Sequence, residues 1–181
     1  QLMIGGSMVA AFLSVILATA WRERFDTLWW ASLALALPLF AAVAVAVWFT
    51  DAGRGPWYDA LTQPAATPPA WVFPVVWNTL YTLMGVASFL VWRRAGFRGA
   101  PLAWALYLGQ LALNASWSIV FFIGKSIAGA LLVIGLLDVA VIATIITFWR
   151  VRPLAGAALL PYIAWLCLAS WINLRLLMLN S

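Results

Sequence analysis

Long apolar runs separated by short polar segments dominate this chain. Six runs are long enough to cross a bilayer as helices, at residues 2–21, 29–49, 71–92, 102–122, 127–149 and 154–177. The connections between the last four runs are short, so consecutive helices are expected to lie antiparallel in one bundle. The pattern predicts an all-α integral membrane protein.

The first run carries a small residue at every fourth position, which suits close packing against another helix. These residues are Gly6, Ala10, Ser14 and Ala18. A cleaved signal peptide is the alternative, but the run lacks a basic leading region and a small-residue cleavage site before Arg22. We therefore expect an extra N-terminal transmembrane helix, with residues 1–28 separate from a domain at residues 29–181.

The longest connection, residues 50–70, is rich in glycine and proline. A residue that precedes proline is pushed towards extended backbone, so Thr67-Pro68-Pro69 is expected to be stiff and non-helical. An apolar helix follows at once. We interpret residues 57–69 as a lid and residues 71–81 as one wall of a pocket beneath it.

Basic residues are distributed unevenly among the connections. Loops 22–28, 93–101 and 150–153 hold seven of them, and the alternate segments hold three. Loops rich in arginine and lysine remain in the cytoplasm. The distribution predicts a multi-pass membrane protein with loop 50–70 and the C-terminus on the outer side.

Composition supports a membrane protein and excludes several kinds of catalytic site. Of the 181 residues, 66% are hydrophobic and 8% are charged, against roughly 25% charged in soluble domains. The lipid bilayer is thus the expected partner, and the scattered net charge of +5 does not suggest nucleic acid. The chain has no histidine and one cysteine, which excludes Cys-His and Ser-His nucleophiles, and no metal site is predicted.

Aromatic and amide side chains recur at helical spacing on three of the predicted helices. The three stripes are Pro74, Trp77, Asn78, Tyr81 and Gly85; Gln110, Asn114, Trp117 and Phe121; and Tyr162, Trp165, Ala169 and Asn173. Together they suit a flat, mostly apolar ligand that is held by a few hydrogen bonds. The alternative for the amides is a structural one, in which each joins two helices for about 1 kcal/mol.

Asp138 is the only acid within a predicted span. Insertion of a mid-bilayer aspartate costs about 3 kcal/mol, so we expect it to face the interior of the bundle. A contact with the ligand and a purely structural role are equally open for this residue.

A second stripe on the helix of Gln110 consists of small residues and points away from the amides. Its members are Ala105, Gly109, Ala112 and Ser116. A flat face of this kind suits a homodimer interface, and packing within the monomer is the alternative.

Several motifs follow one another in an order that resembles a known family. They are WYDAL (57–61), TPP (67–69), WVFP (71–74), GQLALN (109–114) and PYIAW (161–165). The chain resembles the TspO/MBR family, the tryptophan-rich sensory or translocator proteins, and looks like a bacterial member. The resemblance implies five transmembrane helices, a pocket capped by the loop after the first of them, and a homodimer.

The resemblance also implies a ligand class and two functions. The first is a receptor or sensor for porphyrin-like tetrapyrroles such as protoporphyrin IX, with a regulatory or carrier role and no obligatory cofactor. The second is light-dependent oxidative degradation of protoporphyrin IX, in which Trp77 and Trp165 match the tryptophans associated with that chemistry. Phe73, together with Trp57 of the lid, completes the predicted ligand-binding set.

Three positions depart from the family pattern. Gln63 and Ala66 stand where the family has lysine and tryptophan, so the lid is expected to close less tightly. Leu174 stands where the cholesterol-recognition pattern needs tyrosine, so that motif does not support sterol binding. Transport is less favoured because the sequence has no internal repeat.

Overall fold

A computed structural model describes residues 25–181, with side chains described from residue 31 onward. The described part is helical, with α1 Phe25–Gly53, α2 Pro56–Asp59, α3 Val72–Ala95, α4 Pro101–Ser118, α5 Ile127–Val151, α6 Pro153–Ala157 and α7 Leu160–Leu179. A π-helical turn, Ile119–Ile123, continues α4. The predicted span at residues 2–21 lies outside the described residues, and the division of the chain at residue 28 stays a prediction.

Five helical stretches are long and apolar enough to cross a bilayer. They are Ala31–Gly53, Val72–Ala95, Pro101–Ile123, Ile127–Val151 and Pro153–Leu179. These stretches coincide with the last five apolar runs of the sequence to within a few residues at most ends. The prediction of an all-α, multi-pass membrane protein with a five-helix bundle is confirmed.

Helix α1 is longer than the apolar run that predicts it. Residues 25–28 and 50–53 were expected in connections, and both stretches belong to α1. At the C-terminal end of α1, the Thr50 hydroxyl donates to the carbonyl of Ala46 at 2.7 Å, and the Arg54 N–H donates to the carbonyl of Thr50 at 3.2 Å. Hydropathy marks the part of a helix that faces lipid, whereas backbone hydrogen bonding continues into the polar region.

The five spans surround a common apolar core. Helix α1 packs against α3 and α4, α4 packs against α5, and α5 packs against α7. Met84, Val91 and Phe148 are fully buried where these helices meet. The contact between α3 and α7 is looser than the others and consists mainly of aromatic rings.

Two ring contacts set the register of α3 against α7. Phe73 meets Trp165 with ring centroids 5.8 Å apart, and Trp77 meets Tyr162 at 6.3 Å. Helix α3 therefore begins beside the first third of α7, roughly 20 Å from the C-terminal end of α7 at 1.5 Å per residue. The remaining part of α7 has the connection 54–71 as its neighbour, and this connection contains the lid, residues 57–69.

The two ends of the bundle differ in charge. One end carries the lid and is called the lid end below. The other carries the exposed side chains of Arg93, Arg94, Arg98 and Arg150, and we call it the arginine end. Which end faces the cytoplasm stays a prediction.

A close backbone approach at the lid end requires glycine. A Cβ atom on Gly53 would lie 2.7 Å from the carbonyl oxygen of Phe122, which belongs to the π-helical turn. The last turn of α1 therefore rests directly on the end of α4. This contact supports the π-helical turn against which the lid packs.

Candidate functional site

One asparagine joins three helices near the centre of the bundle. The Tyr81 hydroxyl donates to Asn114 Oδ1 at 2.7 Å, and Asn114 Nδ2 donates to the Tyr162 hydroxyl oxygen at 3.0 Å. Asn114 and Tyr162 are buried, with 5% and 1% of their surfaces exposed. The amide oxygen thus accepts from α3, and the amide N–H donates to α7. This is the structural role, the joining of helices, that stood as the alternative to ligand binding in the sequence analysis.

Aromatic rings of α3 and α7 cover this asparagine. Trp77 stacks on Tyr81 with ring centroids 5.4 Å apart and meets Tyr162 edge-on at 6.3 Å. Phe73 meets Trp165 edge-on at 5.8 Å. Six predicted ligand-binding residues therefore come together, and we call them the aromatic–amide cluster: Phe73, Trp77, Tyr81, Asn114, Tyr162 and Trp165.

A second group of rings lies closer to the lid. Trp117 stacks on Phe121 with centroids 4.9 Å apart and planes 9° from parallel, and Trp57 meets the same Phe121 edge-on at 5.6 Å. The Trp117 indole N–H donates to Asn173 Oδ1 at 3.1 Å, and Asn173 Nδ2 donates to the Ile127 carbonyl at 3.0 Å. Trp57 of the lid thus meets the predicted residues Trp117 and Asn173 through the shared ring of Phe121.

The lid is fastened to the end of α7 by a residue that the sequence analysis missed. Asn180 Nδ2 donates to the Thr62 carbonyl at 3.1 Å, and the Thr62 N–H donates to Asn180 Oδ1 at 2.9 Å. Tyr58 of the lid also packs on Phe122 with ring centroids 5.6 Å apart. An asparagine beyond the last apolar run carries no sequence signal for such a contact.

Two predicted polar residues lie outside the aromatic–amide cluster. Gln110 is 1% exposed, and its Oε1 atom has no hydrogen-bond partner among the described residues. Asp138 Oδ2 accepts a hydrogen bond from the Ser170 hydroxyl at 2.8 Å, which joins α5 to α7. Asp138 Oδ1 is buried and has no partner in the described part of the chain. A role for either residue in ligand binding stays a prediction.

The three remaining predicted residues are less enclosed. Pro74 is exposed on the surface of α3, and Asn78 is half-buried. Ala169 is half-buried and packs against the apolar core. None of the three joins the hydrogen-bonded centre of the cluster, and their role in ligand binding also stays a prediction.

A groove of about 400 Å³ opens on the surface between α3 and α7. Its walls include Val75, Val76 and Leu80 of α3, and Pro161, Ala164 and Trp165 of α7. Trp165 therefore belongs both to the groove and to the aromatic–amide cluster. The groove lies where α3 and α7 pack loosely.

Among residues 25–181, no three His, Cys, Asp or Glu side chains lie close enough together to hold a metal ion. The polar atoms available at the site are amide, hydroxyl and indole groups. Such groups bind a ligand by hydrogen bonds and by ring contact.

Comparison with known proteins gives the family. The profile of the TspO/MBR family matches residues 34–179. The chain is 41% identical over 119 residues to the translocator protein of Homo sapiens, covering 65% of this chain and 70% of that protein. It is 38% identical over 152 residues to protein CrtK of Rhodobacter capsulatus, covering 81% and 95%.

A third relative is the tryptophan-rich sensory protein of Cereibacter sphaeroides. It is 40% identical over 124 residues, which cover 68% of this chain and 77% of that protein. The matched range of the family profile contains all six residues of the aromatic–amide cluster. The protein belongs to the TspO/MBR family.

Proposed function

We propose that this protein is a membrane receptor or sensor that binds a tetrapyrrole such as protoporphyrin IX and has a regulatory or carrier role. The observation that carries the proposal is the aromatic–amide cluster, in which four aromatic residues of α3 and α7 surround the polar centre made by Asn114 and Tyr162. A flat apolar ring bearing a few polar atoms is complementary to such a lining.

The chemistry of the cluster fits a metal-free ring. Indole and phenol faces offer stacking surfaces of low conformational entropy cost. The Tyr162 hydroxyl accepts from Asn114 and donates to none of the described residues, so its hydrogen is available to a ligand acceptor. The described residues contain no histidine, and coordination of an iron is therefore not part of the proposal.

Quenching of tryptophan fluorescence by protoporphyrin IX tests the proposal in protein held in nanodiscs. We expect saturable quenching, with an affinity at least about tenfold weaker in Trp77→Phe/Trp165→Phe, a loss of about 1.4 kcal/mol. The control is Trp149→Phe, because Trp149 is exposed on α5 near the arginine end. Quenching that does not saturate, or equal affinity in all three proteins, overturns the proposal.

A second candidate function is light-dependent oxidation of the bound porphyrin. It is favoured by the placement of Trp77 and Trp165 in one cluster, where Phe73 and Tyr162 lie against them. Illumination of the complex in air, with the porphyrin absorption band followed over time, tests it. We expect faster bleaching than for free porphyrin and loss of that difference in Trp77→Phe/Trp165→Phe, whereas bleaching at the free rate contradicts this function.

We also propose a homodimer that forms through the small-residue face of α4. Ala105, Gly109 and Ala112 are exposed, Ser116 is half-buried, and a Cβ atom on Gly109 would meet nothing within 4 Å among the described residues. A close helix–helix contact suits such a face. Light scattering in detergent is expected to give a dimer that Gly109→Leu converts to monomer, with Gly135→Leu on α5 as the control.

The lid end is proposed to face the periplasm. The test is Ala65→Cys, in a Cys167→Ser background, treated with a membrane-impermeant maleimide in cells whose outer membrane has been made permeable. We expect labelling of Cys at position 65 and protection of the same substitution at Phe97, which is exposed at the arginine end. The reverse pattern assigns the opposite orientation.

A further inference from the structure

The groove between α3 and α7 is mainly apolar, and Thr79 and Trp165 carry the polar side-chain atoms of its lining. The Thr79 hydroxyl donates to the carbonyl of Val75 in its own helix at 2.9 Å. The Trp165 indole N–H is the one polar group of the lining without a partner among the described residues, so water finds few partners there. In a protein that crosses the bilayer, the medium at the mouth of this groove is lipid hydrocarbon.

The groove is continuous with the aromatic–amide cluster. Trp165 lines the groove, and its ring edge meets Phe73 of the cluster at 5.8 Å. Val76 also lines the groove and directly precedes Trp77, which stacks on Tyr81. A flat ligand that moves from the hydrocarbon into the groove therefore reaches the cluster by displacing aromatic side chains.

The alternative route passes the lid, and that route is closed by several contacts. The Thr62 backbone exchanges two hydrogen bonds with Asn180, and the lid residues Trp57 and Tyr58 pack on the rings of the π-helical turn. Entry there requires these hydrogen bonds and ring contacts to break together. Entry at the groove requires Phe73 and Trp165 to separate, and neither side chain makes a hydrogen bond to the described residues.

We propose that the groove between α3 and α7 is a lateral entrance through which a flat, lipid-dissolved ring passes from the bilayer into the aromatic–amide cluster. The contact between Phe73 and Trp165 is its gate. This inference rests on the proposed function, because it concerns the route by which the same ligand class reaches the same site.

Crosslinking across the groove tests the entrance. Val75→Cys/Ala164→Cys in a Cys167→Ser background places one thiol on each wall, and a bifunctional methanethiosulfonate reagent joins the walls until a reductant releases them. The protein is held in nanodiscs, and protoporphyrin IX is delivered from lipid vesicles. We expect crosslinking to slow association at least about tenfold and reduction to restore it. Each single cysteine variant, treated with the same reagent, is the control.

A second variant covers the case in which the cysteine pair does not fold. Ala164→Phe fills the groove, whereas Ala41→Phe adds the same side chain to an exposed position on α1. We expect slower association and slower dissociation in the first variant only, with the equilibrium affinity changed much less than either rate. A change in affinity without a change in association rate contradicts an entrance.

The outcomes separate this inference from the proposed function. Absence of saturable binding in the reduced, uncrosslinked protein overturns the proposed function, and the entrance with it. Saturable binding with an association rate that neither crosslinking nor Ala164→Phe alters overturns the entrance alone. Faster association in Asn180→Ala, with no effect at the groove, assigns the route to the lid instead.

Discussion

Tyr81 and Tyr162 are held by opposite ends of a single amide, that of Asn114, with hydrogen bonds of 2.7 Å and 3.0 Å. These two tyrosines lie on helices α3 and α7, which otherwise touch mainly through aromatic rings. The amide therefore connects two helices that pack only loosely against each other. It is a structural element of the same cluster that is proposed to bind the ligand.

Asn114→Leu is expected to lower the free energy of unfolding by about 2 kcal/mol, because it removes two interhelical hydrogen bonds and leaves buried tyrosine hydroxyls without a partner. Thermal unfolding in detergent measures this. Asn78→Leu is the control, since the half-buried Asn78 side chain makes no hydrogen bond within the described part of the chain. Equal destabilisation by the two substitutions would contradict the assigned role of Asn114.

Gly53→Ala is expected to destabilise the protein by about 1–3 kcal/mol, the range found for overpacking. The added Cβ atom would lie 2.7 Å from the Phe122 carbonyl oxygen, where backbone cannot easily yield. Gly55→Ala is the matched control, because a Cβ atom there meets nothing within 4 Å. We expect thermal unfolding of this control within about 0.5 kcal/mol of the unaltered protein.

Asn180→Ala is expected to release the lid without unfolding the bundle, because the hydrogen bonds that it removes lie at the exposed end of α7. Hydrogen exchange at the Thr62 amide should become about tenfold faster, which corresponds to about 1.4 kcal/mol of local opening. Ser181→Ala, one residue further along, should leave that exchange rate unchanged. An unaltered Thr62 rate in Asn180→Ala would show that other contacts hold the lid.

Ser170→Ala is expected to destabilise the protein by about 1–3 kcal/mol, because both oxygens of Asp138 would then lack a partner among residues 25–181. Asp138→Asn should cost less, since its amide can still bond the Ser170 hydroxyl without carrying charge. Ser170→Ala/Asp138→Leu should recover most of the loss. Unfolding in denaturing detergent ranks the three variants, and a different order would contradict the pairing of these side chains.

The helices and the aromatic–amide cluster follow from short-range sequence patterns. A run of about 20 apolar residues is stable in lipid as a helix, so hydropathy locates each span. Helical spacing then places Trp77 with Tyr81, and Tyr162 with Trp165, on common faces. The depth of Asn114 and Trp117 within their helix correctly puts both near the polar centre and the lid end.

Other features depend on contacts between distant segments and leave no mark in a single sequence. The π-helical turn after α4 arises where Phe122 packs against Gly53, and neither residue type indicates this alone. Ser170 cannot be told from other small residues of membrane helices by sequence alone, because its role depends on its contact with Asp138. Thr62 and Asn180 lie outside the apolar runs, so neither hydropathy nor helical spacing relates one to the other.

The fastening of the lid has a practical consequence for studying this protein. Ser181 directly follows Asn180. An affinity tag or fluorescent protein joined directly at this point would stand beside the amide that grips Thr62 and would compete with it for space. Binding rates measured on such a fusion would describe a protein with a loosened lid. A linker long enough to leave Asn180 unhindered is therefore needed before the kinetics of the fusion are compared with those of the untagged chain.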